Sequence, residues 1–236
     1  MTRPRALSSI IALALLPFFL TVAQAQSVDR SALENEIRGL VGELKETEQQ
    51  FLAPSEKDRA KYAAFLSQPD TGLIRLLPRE TFQDKLSFQG GGAYYSFARL
   101  THEYGFGSDI ELQQNQFSVG FAGADFGFIT KLGKIPIEDV TLEHPGAQFL
   151  STFAAPALDA EAREQSRRGG VGFDVNGFTY KSRLPVKKKN SYLLRSVSYD
   201  RSDLLVAFRV VSLDDDGSVV IVWKILKKFP TPQRPR

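Results

Sequence analysis

Cysteine is absent from all 236 residues. That excludes thiol nucleophiles, zinc ribbons and iron–sulfur clusters. It also excludes disulfide staples, so the fold must rest on its hydrophobic core. Histidine is scarce, with only His102 and His144. Two histidines on separate segments read as structural residues, so no metal and no cofactor is expected. An excess of one charge is lacking as well. Removing residues 1–25 takes away Arg3 and Arg5 and no acid, which leaves 28 basic against 27 acidic residues and a net charge of +1. So balanced a chain has little pull on polyanions, and no nucleic-acid partner is expected.

One long apolar run is present, residues 6–20, behind the cationic Arg3 and Arg5 and ahead of Ala23-Gln24-Ala25. That order is a secretory signal with a small-x-small cleavage site. The apolar part is too short, and too soon followed by polar residues, for a transmembrane anchor. No cysteine stands at the cleavage point to accept lipid. The expected product is an exported, unanchored chain in the periplasm or outside the cell.

Four regions are expected: the signal (1–25), a helical appendage (26–69), an antiparallel β domain (70–228) and a Pro-rich basic tail (229–236). In residues 29–51, Leu33, Ile37, Leu40, Leu44 and Phe51 lie on one helical stripe, with Thr47 filling the seam. The stripe packs on the domain or serves self-association as a short coiled coil. Ser55 and Asp58 then match a capping-box variant that starts a second helix, making a helical hairpin. Past Leu73 the period changes to two. Strand patterns cover 73–77, 85–88, 93–101, 109–112, 117–121 and 126–132, and one further helix covers 158–168. Five later segments, separated by Asn176-Gly177 and other short turns, read as a five-strand meander. The pair 203–213 and 219–226 is apolar on both faces and must be covered on both. The fold class is α+β: a mostly antiparallel sheet, sandwich or curled meander, with an N-terminal helical hairpin and one further helix.

The chemical motifs are incomplete. Gly90-Gly91-Gly92 runs into Ala93-Tyr94-Tyr95, which is strand chemistry with no lysine, so it reads as an irregular strand entry rather than a phosphate loop. His102-Glu103 lacks a second histidine at 106, which is Phe106. Asp125-Phe126-Gly127 copies a kinase triplet without its companions. Asp214, Asp216 and Gly217 resemble part of a calcium loop, but Trp223 stands where the closing glutamate belongs.

What is present in quantity is aromatic residues among glycines. Tyr94, Tyr95, Phe97, Tyr104, Phe106, Phe117, Phe121, Phe126 and Phe128 crowd one stretch. Along 117–123 the large residues alternate onto one face and small ones onto the other. Only one of Tyr94 and Tyr95 can enter the core. The other, with His102, Glu103, Tyr104, Asp109 and Asp125, forms the candidate ligand-binding set; no catalytic residue is assigned. Such an aromatic-floored cleft suits a glycan, another amphipathic ligand or an envelope protein. The leading expectation is a non-catalytic binding module, and the alternative is a secreted hydrolase using His102 with nearby carboxylates. Arg195 and Arg209, inside apolar strands, need partners, for which Asp109 and Asp125 are the candidates. Export has a direct readout. Intact mass of the protein recovered outside the cytoplasm is expected to begin at Gln26, and retention of residues 1–25 there would refute the signal.

Overall fold

The computed structural model describes residues 29–105, 107–121 and 125–234; the expected signal, residues 1–25, lies outside them, as do Ala122, Gly123 and Ala124 of the aromatic–glycine stretch. The chain divides into two compact units, Met1–Val41 and Gly42–Arg236. Helix α1 (Arg30–Leu52) opens on Asp29, whose Oδ1 accepts the N–H groups of Ser31 and Ala32. Its stripe of Leu33, Ile37, Leu40, Leu44 and Phe51 is exposed, and Glu48 and Leu52 are the buried positions instead. Burial therefore follows a different side of the helix from the stripe. The Glu48 carboxylate accepts from the N–H and Oγ of Ser87, at 2.6 and 2.7 Å.

Ser55 caps α2 (Glu56–Lys61) as its spacing predicts. Its Oγ accepts the Asp58 N–H and donates to the Asp58 carboxylate. There follow α3 (Ala63–Leu66), β1 (Thr71–Leu76), α4 (Arg79–Phe82), β2 (Tyr94–Tyr95), β3 (Ile110–Gln113), β4 (Gln116–Ser118) and β5 (Phe126–Gly133). The second half holds α5 (Pro145–Thr152), α6 (Asp159–Val171), the pair β6 (Phe173–Val175) and β7 (Phe178–Tyr180), then β8 (Arg183–Pro185), β9 (Ser191–Ser198), β10 (Ser202–Leu213) and β11 (Val219–Lys228).

The strands make an antiparallel five-stranded sheet, β1-β11-β10-β9-β5, and a four-stranded sheet, β2-β3-β4-β8. β6 and β7 form a separate ribbon closed by Asn176-Gly177. Neither larger sheet closes into a barrel. One core lies between the two sheets and includes Tyr95, Ile110, Leu112, Phe117, Tyr192, Phe208, Ile221 and Trp223. A second core lies on the other face of the larger sheet. It gathers Tyr62 and Phe65, Ala147 and Leu150 of α5, Ala162 of α6, and Phe128, Leu193, Ala207 and Val222 from the strands. β10 and β11 are thus covered on both faces, as their two-sided apolar pattern requires.

The five-strand meander shrinks to β9-β10-β11. β5 already pairs along the edge of β9 where the expected strand 178–182 would have to lie, so β6 and β7 stay a ribbon of their own. β8, not expected as a strand, joins β4 in the smaller sheet. The strand expected over 93–101 is only two residues long, because the chain turns back after Ser96, bridged to Thr101, with Leu100 at a positive φ of 55°. Residues 85–88 are turn and bend rather than strand. Helix α5 was not expected; proline at its first turn is compatible with a helix, and His144 caps it by accepting the Gly146 N–H. The tail is pinned: Asp200 N–H donates to the Pro232 carbonyl, and Phe229 N–H to that of Asp203.

Trp223 is 2% exposed and packs edge-on to Phe97 at 5.1 Å. It lies in register with Gly72 of β1, where a Cβ would come within 2.5 Å of the indole. Trp223→Ala is expected to cost about 3–5 kcal/mol in denaturant unfolding. Gly72→Ala should also destabilise, but much less on the Trp223→Ala background, because the ring it strikes is gone. Strictly additive losses would show that Gly72 is not there for the indole.

Candidate functional site

The residues expected at a site divide into two groups. Tyr94 and Tyr95 point to opposite faces of β2, as alternation demands. Tyr95 joins the core between the sheets, with the His102 ring against it at 4.9 Å. Tyr94 turns to the outer face, where the Tyr104 ring lies 4.7 Å away. His102 and Tyr104 therefore serve different sides.

The His102 Nε2 lies 2.9 Å from the Arg75 carbonyl oxygen, which can only accept, so that nitrogen carries the proton. Burial lowers the His102 pKa to about 4, against the pull of that carbonyl. His102 and Glu103 border a cavity of about 410 Å³ with Glu48, Leu52, Leu73 and Ile74. Asp109 is fully buried and accepts the Phe97 N–H at 2.7 Å. Asp125 accepts from the Ser198 hydroxyl and the Tyr199 N–H, at 2.9 and 3.0 Å. Among the described residues no hydrogen bond or ion pair joins His102 to Asp109 or Asp125. Nor do these acids serve the buried arginines. Arg195 pairs with Asp203, and Arg209 bonds the Ile135 carbonyl, each partner lying on or beside the neighbouring segments of the larger sheet. Among the described residues no three His, Asp or Glu side chains group as metal ligands.

The smaller sheet builds a different site on its outer face. Ile110, Leu112, Phe117 and Leu184 face the larger sheet, so their neighbours face outward. Tyr94 pairs with Glu111, Glu111 with Ser118, and Ser118 with Arg183, one from each strand. The four form a single polar row across the sheet. It lines a cleft of about 400 Å³ together with Arg79, Tyr104, Gln113, Gly120 and Phe121. Glu111 is 4% exposed and fully engaged: Arg79 Nη1 donates to one oxygen at 3.0 Å and the Ser118 hydroxyl to the other at 3.2 Å. Burial, reinforced by the nearby Glu111 carboxylate, raises the Tyr94 phenol well above its ordinary pKa and keeps it protonated.

Three aromatic rings make the wall. Tyr94 meets Tyr104 on one side and the edge of Phe121 at 5.4 Å on the other. Phe121 was expected to share the face of Phe117. Gly120, at a φ of 78°, reverses the chain and sends Phe121 to the cleft while Phe117 and Val119 stay in the core. A Cβ at Gly120 would come within 2.7 Å of the Phe126 backbone. Sequence reasoning found Tyr94 and Tyr104 but not Arg79, Glu111, Ser118 or Arg183. The alternation around Glu111 and Ser118 marks them as outward-facing. The pairing of β4 with β8 across more than sixty residues has no local signal.

No family model matches this chain, and neither does any curated protein or solved structure. The cleft must therefore be read from its own chemistry. Stacked rings and a row of fixed donors and acceptors can hold a ligand with apolar faces and polar edges.

The buried carboxylate of Asp109 supplies a pH test. Burial raises its pKa from 3.8 to about 6, against the donors around it, the Ser196 hydroxyl first. A raised pKa means that the folded state holds the proton more tightly than the unfolded state. The associated stability is fully present below about 4 and is lost as pH rises through about 6, a loss on the order of 2–3 kcal/mol. Asp109→Asn is neutral throughout. Its melting temperature should exceed that of the wild type at pH 7.5, and the gap should close by pH 4. A gap of equal size at both pH values would mean that ionisation is not its source.

Proposed function

We propose that the protein is an exported, non-catalytic binding module that holds a glycan on the outer face of its smaller sheet, working in the cell envelope or outside the cell. Export rests on the N-terminal pattern of Arg3, Arg5, the apolar run and Ala23-Gln24-Ala25. The binding role rests on one observation above the rest. The in-register row Tyr94–Glu111–Ser118–Arg183 lies beside the aromatic wall of Tyr94, Tyr104 and Phe121. Sugars present apolar ring faces flanked by hydroxyls, and the cleft offers rings beside fixed hydrogen-bonding groups.

A binding role also fits the state of the polar groups. The Glu111 oxygens are both taken by Arg79 and Ser118, and Tyr94 keeps its proton. The Tyr94 phenol is therefore no base at neutral pH. A hydrolase built on His102 finds no comparable support, because a ring with a pKa of about 4 that is bonded to a carbonyl is a weak base.

The test is titration calorimetry of the mature chain with a panel of neutral and acidic oligosaccharides. Tyr104→Ala should weaken binding of any sugar in the panel about three- to tenfold, and the double variant with Phe121→Ala should abolish it. Both should lower the melting temperature less than Trp223→Ala does. Unchanged affinity in the double variant would remove the cleft as the site.

A further inference from the structure

Three charged side chains line the cleft: Arg79, Glu111 and Arg183. Arg79 and Glu111 neutralise one another at 3.0 Å, and Arg79 also donates to the Gln83 side chain. Arg183 is exposed and, among the described residues, enters no ion pair and no side-chain hydrogen bond. The cleft therefore carries one uncompensated positive charge, and β8 fixes its place. Register sets Arg183 beside Ser118 at one end of the polar row, with Tyr94 at the other. Three strand spacings separate these ends, about 14 Å. The rings Tyr104 and Phe121 stand with Tyr94, at the end away from the free cation.

We propose that the ligand is an acidic oligosaccharide that lies across the strands, with one sugar ring against Tyr104 and Phe121 and a carboxylate of another sugar on Arg183. This rests on the reading of the cleft as a glycan site and adds the charge, the minimum length and the direction of the ligand. A single uronic acid is too short to touch both ends of the row, so a short oligomer is required. A guanidinium takes a carboxylate through two parallel N–H donors, a geometry that an ammonium does not reproduce. A neutral glycan would leave Arg183 without a partner and gain only from the rings and the row.

The probes are trigalacturonic acid, its fully methyl-esterified form, the free monomer and sodium acetate, titrated calorimetrically into the mature full chain at low salt. The ester keeps the three rings and removes the charge. The triuronic acid should bind at least tenfold more tightly than the ester, and the monomer and acetate should bind weakly. Raising salt should weaken the acid and leave the ester almost unchanged. Arg183→Gln should bring the acid down to the affinity of the ester, a loss of at least tenfold for the acid against a much smaller one for the ester. Arg183→Lys should recover only part of the loss. Arg183 is exposed and unpaired, so these variants should melt with the wild type, which separates lost binding from lost fold.

Equal binding of acid and ester would overturn the acidic ligand while leaving the glycan site standing. Binding of neither trimer, with none from the wider oligosaccharide panel, would overturn both. Acid binding that survives Arg183→Gln would place the cation elsewhere and overturn the proposed direction. Acetate or monomer binding as well as the trimer would reduce the site to a simple anion contact, which also overturns it.

Discussion

The buried ion pair of Arg195 and Asp203 ties together more of the structure than any other polar contact. The two side chains are 1% and 3% exposed, and Arg195 Nη2 donates to Asp203 Oδ2 at 2.8 Å while Nε donates to the other oxygen. Burial pushes the Asp203 carboxyl above its ordinary pKa, and the guanidinium pulls it back. Arg195 spends its remaining donors on the Leu150 and Phe153 carbonyls at the end of α5, and its plane lies 3.2 Å from the Phe229 ring centre. Phe229 in turn donates its N–H to the Asp203 carbonyl. Two central strands, a helix terminus and the start of the tail therefore meet at one guanidinium. Such a group is dear to isolate: deleting either partner of a buried pair costs about 3–5 kcal/mol, because it strands the other charge.

That pair belongs to a sheet covered on both faces, and the covering decides where a ligand can go. The helices lie over one face of β9, β10 and β11, and the smaller sheet lies over the other. A strand buried twice has no face left for a ligand. The smaller sheet spends its inward residues on the shared core. Its outward residues Tyr94, Glu111 and Ser118 are covered only by the side chains of Arg79, Tyr104 and Phe121, which border the cleft. The cleft thus falls to the thinner sheet, whose strands are two to four residues long. Short strands hold a fixed surface poorly by themselves. Here the ion pair of Arg79 with the buried Glu111 and the bond from Ser118 hold the row in place.

How much of this was legible in the sequence depends on the range of the interaction. Capping at Ser55, the turn at Asn176-Gly177 and the double burial of β10 and β11 are written in neighbouring residues, and all three appear as expected. The opposite faces of Tyr94 and Tyr95 follow from period two alone. Pairing between distant strands is not local, so β8 was not expected as a strand at all and its Arg183 was missed as a site residue. The partner of Arg209 failed for the same reason, since the Ile135 carbonyl lies far off in sequence. The partner of Arg195 is different: Asp203 is just across the β9–β10 turn, within local reach, and was overlooked. His102, Asp109 and Asp125 looked like one cluster because they are close in sequence. Each is claimed by a different backbone segment: Arg75, Phe97 and Tyr199.

The abundance of glycine beside aromatics, which drew attention to this stretch, has a mechanical explanation that also builds the site. At Gly90 a Cβ would lie 2.3 Å from the Tyr94 ring, so the absence of a side chain is what lets that ring settle against the backbone. Gly120 supplies the positive φ that turns Phe121 out of the core. Each glycine thus delivers one ring to the same wall, and Tyr104 completes it. The pattern resembled a phosphate loop only in composition. A phosphate loop uses glycine to present backbone N–H groups to an anion. These glycines use their missing side chains to seat aromatic rings, which leaves any anionic part of a ligand to the far end of the row, where Arg183 stands.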